Sequence, residues 1–204
     1  MCIYVREHSY EIRLGEWSLF KLTPSNTLII ANVLVYAYTA VVSGNPFTIN
    51  EDVLLWLGQD NAFVMSGGYW QLFTSMFVHI NLLHLFGNMV FLLIFGIRAE
   101  DLFSTEEFFA IYFASGLLGN LLTLLMSPFI VSAGASGAIF GIFGAVVIYL
   151  RKTFGESIIG ALIFSFFLLM LSMSAGVNII AHFGGLVAGL IIGYALAKTH
   201  KITL

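Results

Sequence analysis

Residues 178–197 read NIIAHFGGLVAGLIIGYALA, twenty positions without aspartate, glutamate, lysine or arginine, closed by Lys198. A helix of that length rises about 30 Å, the thickness of a bilayer's hydrocarbon core, so the stretch predicts a membrane-spanning helix. Five more candidate apolar runs, bounded by charges or turn residues, lie outward from it at about 26–43, 78–97, 106–126, 135–150 and 156–173. The expected fold is all-α: a polytopic bundle of six transmembrane helices.

Composition supports this. The 204 residues are 59% hydrophobic and 9% charged, whereas a soluble domain carries about 25% charged residues. Long charge-free runs leave too little to coat a soluble core. The net charge of -3 argues against a nucleic-acid partner. Cys2 is the only cysteine, which excludes an internal disulfide and any thiolate metal cluster; no metal or cofactor is expected. Residues 1–25 read as a short cytoplasmic tail, 26–198 as one membrane-embedded domain and 199–204 as a second cytoplasmic tail. The first 24 residues mix charges with apolar residues and lack the continuous apolar core of a signal peptide.

With both termini cytoplasmic, Arg6, Arg13, Lys21, Arg98, Arg151, Lys152, Lys198 and Lys201 all fall on the inner side. The outer connections then carry only Glu51, Asp52 and Asp60 as charges. The long outer segment 44–77 holds Phe47, Trp56, Phe63, Tyr69, Trp70 and Phe73. Such rings favour the membrane interface, so it reads either as lying partly in the outer leaflet or as a small lid.

Polar residues submerged in apolar helices cost free energy unless they face a partner or a wet cavity. His84, Asn88, Asn120, Ser136 and His182 are the ones that stand out. His84, Ser136 and His182 belong to three helices running from outside to inside, and all fall near the outer ends. His84 is expected some six residues into its helix and His182 some four, roughly 6–9 Å down. Helix 135–150 is expected to be short, so that Ser136 starts below the outer surface after an irregular, dipping stretch from Ser127 to Gly134. Gly134, Gly137, Gly141 and Gly144, with Gly185, Gly189 and Gly193 at four-residue spacing, permit the close helix approach that would bring Ser136 to His182.

A serine hydroxyl becomes a nucleophile when a neighbouring base takes its proton, and histidine suits that role at neutral pH. His182 is the candidate base. The oxyanion formed on attack needs fixed donors, which the free N–H groups of Ala135 and Ser136 at a helix start could supply. His84 and Asn88 lie one turn apart on one face and could add two more. No aspartate or glutamate lies in the interior of a predicted span, so a Ser-His dyad is inferred, with Phe140 stacking on the imidazole. His79 is expected to tie down the outer segment by a hydrogen bond and Asn120 to bond between helices. His8 and His200 read as tail residues without a visible role.

Gly134-Ala135-Ser136-Gly137, His84-x-x-x-Asn88 and Ala181-His182-x-x-Gly185-x-x-x-Gly189 together resemble the rhomboid family of intramembrane proteases, over about 44–197. The resemblance implies cleavage of single transmembrane helices near their outer ends. Ser136 would be the nucleophile, His182 the base, and His84 and Asn88 oxyanion donors, with no cofactor. The partners would be transmembrane protein substrates and the lipid bilayer. Phe154–Ser172 would form the gate and Met173–Val177 the cap; Phe164, Phe166 and Phe167 suit a mobile lipid-facing helix and equally suit lipid-exposed filler. The family usually has Trp-Arg where this chain has Trp70-Gln71, and often tyrosine where Phe140 stands. The compact form suggests a bacterial or archaeal cell membrane, with the site opening outward. A transporter is the rival class, disfavoured by the lack of an inverted repeat or an intramembrane carboxylate; an inactive scaffold is a third, against which Ser136, His182, His84 and Asn88 together speak.

Overall fold

The computed structural model describes residues 22–155, 157, 159–160, 163–164 and 178–200. Five long helices dominate them: α1 (Pro24–Ser43), α5 (Leu82–Glu100), α6 (Thr105–Thr123), α7 (Ser136–Phe154) and α8 (Ile179–Thr199). Four, all but α6, are long and apolar enough to cross a membrane. α6 has similar length but opens with Glu106 and Glu107, where the acidic side chains suit the helix N-terminus. The predicted span 156–173 and cap 173–177 fall almost wholly outside the described residues, as do most of the N-terminal tail and residues 201–204.

The order of contacts along the helices gives their directions. A Cβ on Gly185 would run into the carbonyl oxygen of Gly137, one on Gly189 into that of Gly141, and one on Gly193 into that of Ala145. Both numbers rise together, so α7 and α8 are parallel, with their backbones in near contact as small residues at such spacing permit. Along α6 the order reverses, because Gly119 meets Ala181 while Glu107 meets His200. α6 is therefore antiparallel to both. α7 is the central helix: 61% of its most apolar stretch is buried, against 28–39% for α1, α5 and α8. Phe108, Ile111, Tyr112 and Ile142 form the heart of the α6–α7 core.

Three boundaries differ from the sequence reading. α5 begins at Leu82 rather than 78, because Asn81 caps it through its side chain and Thr48 pairs with Asn81 in an extended bridge. α7 runs 19 residues, from Ser136 to Phe154, not to 150. Arg151 and Lys152 do not end it but ride its last turn, where cations complement the helix dipole, and Gly155 ends it with φ 71°. The short helix expected at 135–150 is thus not found, and Ser136, at the start of α7, is half-buried.

The outer segment packs against the stretch that leads into Ser136, with the Gly134 N–H donating to the Ser75 carbonyl oxygen. Residues 44–77 fold into short helices α2 (Glu51–Leu57), α3 (Asn61–Met65) and α4 (Gln71–Thr74), none long enough to cross a bilayer. The stretch Ser127–Gly134 is not wholly irregular, since β2 (Val131–Ser132) pairs antiparallel with β1 (Gln59–Asp60), Gln59 opposite Ser132. The molecule is thus mostly, not purely, helical.

Candidate active site

Ser136 opens α7 and His182 is the fourth residue of α8. No side chain caps α7, so its first backbone N–H groups stay available. α8 is fixed at its start by Asn178, which accepts from the Ala181 N–H at 3.0 Å and donates to Thr123 Oγ1 of α6 at 2.8 Å. With the glycine contacts behind them, the two side chains meet: Ser136 Oγ lies 2.6 Å from His182 Nε2. Phe140, one turn after Ser136, stacks on the His182 ring at 4.8 Å between centroids and 27° between planes. His182 Nδ1 is buried without a hydrogen-bond partner among the described residues.

His84 is the third residue of α5, not the sixth, and its ring reaches the same place. A Cβ on Gly134 would stand 2.8 Å from His84 Cε1, 2.9 Å from Nε2 and 3.7 Å from Ser136 Oγ. Gly134 has φ 133°, a conformation that side-chain-bearing residues avoid, so both the turn and the approach of His84 require glycine here. Asn88 lines the same cavity, but its Nδ2 donates to the His84 carbonyl oxygen at 2.9 Å, within its own helix. The cavity measures about 640 Å³ and its wall includes His84, Asn88, Ser136 and His182.

A set of buried amides, of which the sequence singled out Asn120 and, as a departure from the family pattern, Gln71, ties the outer segment to α6. Gln59, Asn61 and Gln71 are fully buried. Gln59 Nε2 donates to the Asn120 carbonyl oxygen at 2.9 Å, and Asn61 Nδ2 to that of Thr123 at 2.8 Å. Asn120 Nδ2 donates to the Leu72 carbonyl oxygen and to Ser75 Oγ, so it bonds between helices, tying α6 to α4 and to the residue after it in the outer segment. Ser75 then accepts from the Gly134 N–H at 2.9 Å through its own carbonyl. Gln71 accepts from the Asp60 N–H at 2.8 Å and donates to the carbonyl oxygens of Leu55 and Trp56. The available signal was the cluster of Asn and Gln in an aromatic, nearly charge-free segment, since a buried amide must find partners.

Among the described residues the His79 side chain bonds only locally, with Nδ1 3.3 Å from the Phe77 carbonyl oxygen. His200 does have a role: it lies 2.8 Å from the Tyr149 hydroxyl and 2.7 Å from Glu107 Oε1, joining the far ends of α6, α7 and α8. Among the described residues no group of histidine, cysteine and carboxylate side chains could hold a metal ion.

The family model of the rhomboid domain matches residues 66–199, about two thirds of the chain. This chain belongs to the rhomboid family. Among its relatives, the rhomboid-like protease 3 of Toxoplasma gondii is 33% identical over 79% of this chain and 65% of its own length. The mitochondrial RHOMBOID-like protein 6 of Arabidopsis thaliana is 36% identical over 62% of this chain and 43% of its own. The rhomboid protease GluP of Bacillus subtilis (strain 168) is 32% identical over 83% of this chain and 34% of its own. The chain thus spans from about a third to just under two thirds of the length of these three. This rhomboid is an integral membrane protein, and a family with a mitochondrial member does not by itself indicate a bacterial or archaeal source. Within the rhomboid domain lie Ser136, His182, His84 and Asn88, whereas α1 and α2 precede the matched region.

Proposed function

We propose that this rhomboid is an intramembrane serine endopeptidase that cleaves transmembrane helices of other proteins by a Ser136–His182 dyad. The observation that carries the proposal is the 2.6 Å contact between Ser136 Oγ and His182 Nε2 in the wall of a 640 Å³ cavity. The Ser136 O–H donates to His182 Nε2. On attack at a peptide carbonyl carbon the proton passes to that nitrogen, and His182 then returns it to the leaving amine. Water, deprotonated in its turn by His182, hydrolyses the acyl-enzyme. The negative oxygen is held by N–H groups at the start of α7, by His84 and by an Asn88 N–H, while Phe140 keeps the imidazole in place. His182 Nδ1, without a hydrogen-bond partner among the described residues, supports a dyad over a triad.

The chain crosses the membrane six times with both termini in the cytoplasm, and the cavity opens on the outer side. Five crossings are the long helices. The sixth is the predicted span 156–173, which lies almost wholly outside the described residues and which the parallel direction of α7 and α8 supports.

Incubation of the purified protein with a fluorophosphonate, followed by mass mapping, tests the assignment. The adduct is expected on Ser136 alone, and a different labelled serine sinks the proposal. Ser136→Ala should abolish both labelling and cleavage of a transmembrane substrate.

A further inference from the structure

His79 is fully buried beside the proposed site, and the chemistry above leaves it idle. Its Nδ1 faces the Phe77 carbonyl oxygen at 3.3 Å. A carbonyl only accepts, so Nδ1 carries the ring proton and Nε2 is a bare acceptor. That Nε2 is buried with no hydrogen-bond partner among the described residues. Burial holds the imidazole well below the ordinary histidine range, at about 3, so a second ring proton is not available to change this.

His84 poses the matching problem. Its ring centroid is 5.1 Å from that of His79, with the planes at 65°. Its Cε1–Nε2 edge faces Gly134 and Ser136, while its Nδ1 is buried and also without a partner among the described residues. To donate to an oxyanion, His84 must carry its proton on Nε2, which makes Nδ1 an acceptor. Which imidazole nitrogen holds the proton is set by the bond the other one makes. Two acceptors cannot bond to each other, but one water molecule can donate a hydrogen to each. Moving the His84 proton to Nδ1 would then strand one O–H of that water in a buried site, which disfavours the wrong tautomer.

We propose that His79 is a positioning residue: through one buried water shared by His79 Nε2 and His84 Nδ1, it fixes the tautomer that aims the His84 Nε2–H at the Ser136 site. The inference rests on the oxyanion role of His84 proposed above.

Imidazole nitrogen chemical shifts of isotope-labelled histidine, measured on the full chain in lipid bilayers and assigned with His84→Asn, read the tautomer directly. The wild type should have His84 protonated on Nε2 and bare on Nδ1. His79→Phe keeps the ring volume but removes the acceptor, so His84 should populate both tautomers. Single-turnover cleavage at saturating substrate should fall by about tenfold or more, toward the effect of losing an oxyanion donor, with substrate affinity unchanged. His79→Gln returns an acceptor oxygen and should recover most of the rate and the wild-type tautomer. A wild-type His84 protonated on Nδ1 overturns the inference even if His79→Phe fails to fold, and so does a tautomer indifferent to His79. If the tautomer follows His79 while the wild type neither cleaves nor labels at Ser136, the proteolytic reading falls and the coupling stands.

Discussion

Ser136 and His182 are 46 positions apart, and their 2.6 Å contact depends on where two helix starts are held. In the proposed dyad neither residue acts without the other, so Ser136→Ala, His182→Ala and the double variant should all fall to the same low cleavage rate in a single-turnover assay. A double variant much slower than either single one would break the dyad. Asn88→Ala should lose less. Its Nδ2 already donates one N–H to the His84 carbonyl oxygen, which leaves the second for the oxyanion, and the α7 N–H groups remain. Its rate should drop by up to about 3–4 kcal/mol of transition-state stabilisation with substrate affinity intact; collapse of affinity at an unchanged rate would instead make Asn88 part of the substrate groove. These residues were legible in the sequence because polar groups in apolar helices are costly and few. His200 was not, since its partners Tyr149 and Glu107 lie 51 and 93 positions away and nothing local marks the meeting. Gln71 was noticed as a departure from the family's usual arginine, but that a neutral amide there would hold Asp60, Leu55 and Trp56 required the folded outer segment.

At the scale of elements, the glycines decide how near α7 and α8 lie. Gly185→Ala would push a methyl group into the Gly137 carbonyl, and Gly189→Ala into that of Gly141. Backbone cannot yield as a side chain can, so each should destabilise the protein by about 1–3 kcal/mol and also lower cleavage by separating Ser136 from His182. Gly87→Ala is the control. Nothing lies within 4 Å of its Cβ position inside α5, so it should hold or raise stability by up to about 1 kcal/mol. Thermal unfolding of the three variants in one detergent checks the contrast, and a Gly87→Ala loss equal to that of Gly185→Ala would reduce it to helix propensity. The four-residue glycine spacing was readable in advance because it is periodic. The ends of α5 and α7 were less so: Asn81 and Thr48 settle one by a long-range bridge, while Arg151 and Lys152 look like a boundary yet sit comfortably on a last helical turn.

For the whole molecule, α5 runs parallel to α7, because His84 meets Gly134 and Phe95 meets Phe143, so α5, α7 and α8 are co-directional and this sorts the charges. Arg98 lies in the last turn of α5, Arg151 and Lys152 in that of α7, and Lys198 in that of α8. Glu51, Asp52 and Asp60 lie in the outer segment, which pairs with the residues just before α5 and α7 through Thr48–Asn81 and Asp60–Val131. Basic residues flanking membrane helices stay in the cytoplasm, so the ends of α5, α7 and α8 should face inward and the cavity outward. α1 is antiparallel to α5, because Gly96 and Glu100 at the inner end of α5 meet Ser25 at its start. The N-terminus should therefore be cytoplasmic, and so should the C-terminus beyond Lys198. Reporter fusions at the two ends, one active only inside the cell and one only outside, check this. Both ends should score as internal. Two external ends would invert the molecule and turn Ser136 toward the cytoplasm, against four basic residues in helix last turns. Ends on opposite sides would mean an odd number of crossings. That outcome would overturn the proposed six-span arrangement, which the parallel register of Gly185 with Gly137 and Gly189 with Gly141 supports.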